Sequence, residues 1–250
     1  MSYTLPSDAD YHVGTFVKTT SPQVIEILGL SGLDFAVLDA EHAPYDRAAL
    51  DVAMIAGRAT GLPLFVRVEE RTAARLLSVL DMGAAGVLVP HVDSEQDARD
   101  VVAHCRYVGG DRGYSSSPRA AGYGQLGMKQ AIAHGDRNVV VCQIESVAAV
   151  ENAARIARVP GVAALFIGRA DLALSMGLDN AQDPRVLQAT ETAVRAALAA
   201  GKAAGMFVGS TAEREKYRAL GVSWFIHGSD QSLLRQAAQA AAQPPSTESS

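Results

Sequence analysis

Of the chain's 250 residues 48% are apolar and 20% charged, and 22 glycines with 10 prolines are an ordinary share, which excludes collagen-like and disordered compositions. The net charge of −5 comes without any basic block, which excludes a nucleic-acid surface, because phosphate binding needs clustered Lys and Arg. No apolar run approaches the roughly 20 residues of a membrane-spanning helix, and the first residues carry no secretory pattern, so a cytoplasmic protein acting on a small molecule is expected.

Short apolar runs of strand type alternate with longer stretches of helical spacing along the chain. In order, the pattern predicts strand 12–18, helix 21–30, strand 35–40, helix 47–60, strand 64–68, helix 72–82, strand 86–91 and helix 94–106. It continues with strand 138–144, helix 146–159, strand 163–168, helix 184–200, strand 204–208, helix 211–220, strand 223–227 and helix 229–242. Ser21-Pro22, Ser94 followed by Glu95 and Asp97, and Asp183-Pro184 mark helix starts, and glycines 83, 161, 201 and 221 stand where helices should stop. Between the fourth helix and the fifth strand, residues 108–127 read as a Gly/Ser-rich loop, long enough to be a lid or a subunit contact. Residues 244–250 read as a disordered tail, which leaves 1–243 as one domain. Cys105 and Cys142 are expected to be buried and reduced.

Nearly continuous apolar strands imply a sheet buried on both faces, and strict strand-helix order makes that sheet parallel. Eight such units predict an α/β fold, a single (β/α)8 TIM barrel with its active site at the C-terminal mouth of the strands. An open doubly wound sheet competes, but Gly14-Thr15-Phe16-Val17-Lys18 is no phosphate-binding fingerprint. Polar residues gather at the predicted strand ends: Asp39, Glu41 and His42 after strand two, Arg67 and Glu69 after three, His91 after four, Gln143 and Glu145 after five, and Arg169 with Asp171 after six. Asp39 with Glu41, and Gln143 with Glu145, are two apart and so share a face. Several carboxylates in one mouth need compensating cations. Arg67 supplies one, and a divalent metal on Glu145 and Asp171 would supply more, the oxygen-rich pattern of Mg or Mn. His42 beside Glu41 suits proton transfer.

The runs Leu38-Asp39-Ala40-Glu41-His42-Ala43-Pro44, Val66-Arg67, Gln143-Ile144-Glu145-Ser146 and Phe166-Ile167-Gly168-Arg169-Ala170-Asp171-Leu172 together resemble the metal-dependent class II pyruvate aldolase family. That family includes hydroxy-oxo-heptanedioate and deoxyglucarate aldolases and is related to citrate lyase beta subunits. The resemblance spans the barrel from Gly14 to the last helix. It implies a carbon–carbon lyase that reversibly cleaves a hydroxy-2-oxo acid to pyruvate, or a related 2-oxo acid, and an aldehyde, with a divalent Mg, Mn or Co ion as Lewis acid stabilising the enolate. By the same resemblance Glu145 and Asp171 hold the metal, Arg67 steadies the enolate, His42 moves protons, and Gln143 lies beside the oxo acid. Asp39 and Asp81 match acidic positions that orient the histidine or close the site, and the N–H groups around Ala170 and Asp171 match a carboxylate-binding turn. A homo-oligomer, a trimer or hexamer exchanging a terminal helix, is implied as well.

Arg169 departs from the family, which more often has proline there, as Ala173 does where serine is common. Arg169 therefore either binds a further anionic group of the substrate or packs structurally. Three other activities are compatible with the same barrel: a Schiff-base aldolase using Lys18, an acyl-CoA carbon–carbon lyase, and a non-catalytic oxo-acid-binding protein. Phosphate recognition at Gly209-Ser210 and Gly228-Ser229, after the last two strands, competes with a plain turn role.

Overall fold

The computed structural model describes residues 3–6 and 10–243; the tail read at 244–250 lies outside them. Eight parallel strands close in sequence order into one barrel, β1-β2-β3-β4-β5-β6-β7-β8, with β8 paired back to β1. They are β1 His12–Val17, β2 Phe35–Asp39, β3 Leu64–Arg67, β4 Gly86–Val89, β5 Val139–Ile144, β6 Ala164–Ile167, β7 Ala203–Val208 and β8 Trp224–Ser229. The outer layer is α1 Pro22–Gly29, α2 Arg47–Thr60, α3 Ala73–Asp81, α4 Glu95–Cys105, α5 Met128–Gly135, α6 Val147–Arg158, α7 Arg169–Ser175, α8 Pro184–Ala199, α9 Thr211–Arg218 and α10 Asp230–Ala242. The barrel is the one the periodicity predicts, and Cys105 and Cys142 are buried free thiols.

Side-chain parity sorts each strand between two cores. Ala36, Leu38, Val66, Val87, Val140, Cys142, Leu165, Met206 and Phe225 point outward and pack under the helices. Phe35, Val37, Phe65, Leu88, Val141, Phe166, Trp224 and Ile226 point inward and fill the barrel. The foot of the barrel is aromatic: Phe35 stacks on Trp224 at 4.4 Å between centroids, and Phe65 meets Trp224 edge-on at 5.2 Å. Rings of that size fit because small residues face them. A Cβ at Gly14 would lie 2.5 Å from the Phe35 ring, and one at Gly205 would lie 2.9 Å from Trp224. Tyr3 seals the foot, its hydroxyl accepting from Trp224 Nε1 at 3.0 Å and sharing a 2.6 Å hydrogen bond with His12 Nδ1. Continuing the same inward parity upward puts Asp39, Arg67 and Gln143 as the top layer, where the apolar filling gives way to polar groups.

Two expectations change. The segment after α4 is not a structureless loop: it holds a 3-10 turn, Arg119–Gly124, and runs into α5. Nor is it a lid on its own barrel's mouth, because a segment between a helix and the next strand starts from the opposite end. Arg119 ties it to the outer layer instead, pairing with Asp51 of α2 at 2.7 Å and donating to the Met82 carbonyl at 2.8 Å. Asp81 is the last residue of α3, where the chain turns toward the start of β4, and it pairs with Arg112 at 2.9 Å. It therefore stands outside the mouth of its own chain and does not orient His42 there.

Candidate active site

Asp39 and Arg67 are register partners on β2 and β3, which puts their inward side chains alongside each other. Arg67 donates through Nε and Nη2 to the two oxygens of Asp39 at 2.9 and 2.8 Å, a bidentate pair with Asp39 fully buried. Lys18, just past β1, adds its ammonium to the same carboxylate at 2.8 Å. Burial pushes the Asp39 carboxyl up, but the hydrogen bonds and charges of Arg67 and Lys18 outweigh it and hold the group below the usual carboxylate range. Asp39 also accepts the backbone N–H of His42 at 3.2 Å, fixing the turn that presents Glu41 and His42. So Asp39 positions the histidine through its backbone, not through its ring.

Glu41 lies between two imidazoles. Its Oε2 is 3.6 Å from His42 Nε2 and its Oε1 is 3.6 Å from His91 Nε2, with Arg67 Nε at 3.3 Å. Burial pushes its carboxyl up, reinforced by Glu145 and opposed by Arg67 and the histidines, and its Oε2 is buried without a hydrogen-bond partner. His42 is 56% exposed, at the rim and open to a ligand.

Across the mouth, β5 ends in Gln143 and Glu145, both buried. Glu145 Oε1 accepts the His91 N–H at 2.8 Å and lies 3.1 Å from His91 Nδ1, while Gln143 Nε2 donates to Oε2. Gln143 Oε1 is a buried acceptor left unpartnered. Gly168, after β6, lets the next turn approach: a Cβ there would lie 3.0 Å from Glu145 Cβ and 3.2 Å from its Oε2. The exposed Ala170 and Asp171 open α7, whose first-turn N–H groups have no partners inside the helix. Arg67, Gln143, Phe166, Gly168, Ala170 and Asp171 line one cavity of about 380 Å³, with Phe16 and Phe207 as its aromatic wall. Those two rings stack at 6.3 Å, and the Arg67 guanidinium lies 4.5 Å over Phe16.

The structure thus brings together Asp39, His42, Arg67, Gln143, Glu145, Ala170 and Asp171 from four strand ends, and leaves Asp81 out. Of the two roles read for Arg169, its contacts are those of packing. Its guanidinium donates to Glu213 at 2.6 Å, to the Phe207 carbonyl at 3.0 Å and to the Tyr217 hydroxyl at 3.0 Å, so it braces α7 against β7 and α9 while forming part of the wall of the same cavity. Ser210 and Ser229 cap α9 and α10, the turn role. Lys18 and Glu41 carry more of the electrostatics than their places in the sequence suggest. Their signal was present, since both follow strands that point polar groups into the mouth.

The donor set suits a hard divalent cation. Glu145, Asp171 and the orphaned Gln143 Oε1 are all oxygens, the chemistry of Mg or Mn sites. Among the described residues no three His, Cys, Asp or Glu side chains converge as a ready cage. An ion here would therefore rest on two carboxylates and complete its shell with substrate and water. No helix among the described residues is long and apolar enough to cross a membrane.

Known proteins share this fold over nearly the whole chain. The family model described as HpcH/HpaI aldolase/citrate lyase matches residues 12–237. The chain is 34% identical over 230 residues to 5-keto-4-deoxy-D-glucarate aldolase of Shigella dysenteriae serotype 1, covering 91% of this chain and 89% of that protein. A Burkholderia cenocepacia J2315 structure of an HpcH/HpaI aldolase/citrate lyase family protein superposes with a TM-score of 0.88 at 32% identity, covering 94% of each chain. The HpcH/HpaI aldolase of Desulfitobacterium hafniense DCB-2 superposes at 0.86 with 26% identity, covering 94% of this chain and 95% of that one.

Proposed function

As a member of the HpcH/HpaI aldolase/citrate lyase family the chain is a carbon–carbon lyase, and we propose that it cleaves a hydroxy-2-oxo acid reversibly to pyruvate, or a related 2-oxo acid, and an aldehyde. The observation that carries this reading is that Arg67, Gln143 and Asp171 line one cavity, with Glu145 hydrogen-bonded to Gln143 beside it and the exposed His42 next to Glu41 at the same mouth. Glu145 and Asp171 would hold the divalent ion, Mg, Mn or Co. When bound, it supplies Lewis acidity to the 2-oxo group. The N–H groups of Ala170 and Asp171 receive the substrate carboxylate. Arg67, fixed by Asp39, presents positive charge where negative charge develops on the oxo oxygen as the bond breaks. In cleavage His42 takes the proton of the substrate hydroxyl while the electrons of the breaking bond pass to the oxo-acid fragment, whose enolate carbon then takes up a proton to give the 2-oxo acid; in synthesis the 2-oxo acid loses that proton, the new bond forms and His42 returns a proton to the hydroxyl oxygen. Glu41, 3.6 Å from Nε2, stabilises the imidazolium in between.

The test is a coupled assay for pyruvate release from several hydroxy-2-oxo acids, beginning with 5-keto-4-deoxy-D-glucarate, the compound named for the Shigella relative. Activity should vanish with a chelator and return with Mg, Mn or Co. Chelator-resistant activity together with borohydride trapping of pyruvate on Lys18 would overturn it in favour of a Schiff base. The geometry already weighs against that outcome, because the Lys18 ammonium is engaged by Asp39 and a nucleophilic amine must be neutral.

A homo-oligomer, trimer or hexamer, belongs to the same proposal. Only Asp230 is buried in the whole of α10, and Leu234 is 72% exposed on a face it shares with Ala237, Ala238 and Ala241. A second copy of the chain is the occupant that such an apolar helix face would meet. Light scattering after size exclusion should show the mass of Leu234→Glu collapsing toward that of a single chain. An unchanged mass would remove α10 from the interface. The buried free thiols Cys105 and Cys142 support a cytoplasmic setting.

A further inference from the structure

We infer that His91 is the positioning residue for Glu145, and that its left-handed backbone exists to aim it. His91 follows Val89-Pro90 at the end of β4 and takes φ 55°, one of two non-glycine residues with positive φ among the described residues. Such a conformation is disfavoured for a side-chain-bearing residue and persists where the surroundings impose it. The imposition is visible. Arg71 donates to the His91 carbonyl and is itself anchored to Asp97 at 2.9 Å, clamping the turn from α4. The result is that the His91 backbone N–H donates to a Glu145 oxygen that the ring of the same residue also meets. His91 N–H is 2.8 Å and His91 Nδ1 3.1 Å from Glu145 Oε1, while Gln143 holds Oε2.

An exposed histidine on a loop ordinarily points to water, and this ring is 69% exposed, yet its Nδ1 faces a carboxylate that is 3% exposed. Each Glu145 oxygen has two acceptor directions, and the His91 N–H takes one on Oε1 and Gln143 one on Oε2, so one direction stays free on each oxygen of a carboxylate that can no longer swing. A side chain fixed in this way is prepared for a cation before the cation arrives, which is how groups behind a metal ligand raise affinity. His91 therefore acts through Glu145 and need not touch the substrate.

The inference rests on the proposed role of Glu145 as a metal ligand, and the experiment separates the two. Mn(II) binding to chelator-stripped protein is measured by calorimetry for the wild type, His91→Gly, His91→Asn and Glu145→Gln. Glycine adopts φ 55° freely, so His91→Gly keeps the turn and the N–H donor and removes only the ring. It should weaken Mn(II) binding by roughly 10- to 100-fold with an unchanged melting temperature in the stripped state. Asparagine tolerates the left-handed region and offers an amide donor, and should recover most of the loss. Wild-type affinity in His91→Gly, with binding lost in Glu145→Gln, would overturn the inference alone. Undiminished binding in Glu145→Gln would overturn the metal-ligand reading and the inference with it.

Discussion

Replacing His42 with alanine should lower kcat by roughly 10²- to 10⁴-fold, the usual contribution of a positioned acid–base group, and should leave the fold intact. The two halves of that expectation come from one feature. The His42 ring is 56% exposed and, among the described residues, its one ion-pair neighbour is Glu41 at 3.6 Å, so little packing is lost with it. What fixes the turn is the His42 backbone N–H on Asp39, and alanine keeps that bond. Stability should therefore stay within about 0.5 kcal/mol of the parent, as for an exposed substitution. Binding of pyruvate, measured by calorimetry in the presence of Mn(II), should also be near the parent value, since Arg67, Gln143 and the α7 turn are untouched. A His42→Ala enzyme with kcat within threefold of the parent would assign the proton transfer elsewhere, Glu41 being the nearest candidate.

Arg67→Met is expected to damage both activity and stability. The lost positive charge at the oxo oxygen should cost on the order of 10²- to 10³-fold in kcat. Breaking the pair also strands Asp39, fully buried, with Lys18 as its remaining cation. Removing one partner of a buried ion pair costs about 3–5 kcal/mol, with the Lys18 contact keeping the loss toward the lower figure. The pH dependence follows from the direction of the Asp39 shift. Its folded-state pKa is depressed, so its contribution is complete above the unfolded value of about 3.9 and fades as the pH falls through the folded value. Without Arg67, burial pushes the carboxyl the other way, and ionised Asp39 becomes a liability at neutral pH. The stability gap between parent and variant should thus be widest near pH 7 and close under acid, because a protonated Asp39 needs no cation. Urea unfolding across pH 3–7 reads this directly. Adding Asp39→Asn should restore much of the stability and none of the rate; a double variant no more stable than Arg67→Met would refute the stranded-charge explanation.

The barrel was legible because its signals are redundant. Strand runs, caps such as Ser94 and Asp183, and stops such as Gly83 and Gly161, both at φ 97°, each state the same alternation. The mouth was legible through parity, since an inward Val37 makes Asp39 inward and an inward Val141 makes Gln143 inward. What escaped has physical reasons too. α7 is seven residues long behind a glycine with no capping side chain, too short for a period to show. The segment at 119–135 lacks a strong apolar repeat, so its 3-10 turn and α5 left little trace. A motif match at Asp81 gives its place along the chain but not the end of the helix on which it falls. Arg169 could not be assigned because its partners Tyr217 and Glu213 are 48 and 44 residues away. The turn at His91 is forced by Arg71, 20 residues earlier, and no local residue type announces it.

The closure of the barrel also sets a clock. Tyr3 bonds Trp224 across 221 residues, and β1 pairs with β8 over a similar span. At a synthesis rate of about 5–20 residues per second, β1 waits roughly 10–45 s after it is made before its second partner exists. During that interval the outer edge of β1 carries bare N–H and C=O groups, and the inward ring of Phe35, joined by Phe65 and Phe166 as they are made, has no Trp224 to close on. The nascent chain is therefore sticky for most of its time on the ribosome. How well this enzyme accumulates in a host will depend on whatever shields that edge as much as on the stability of the finished barrel.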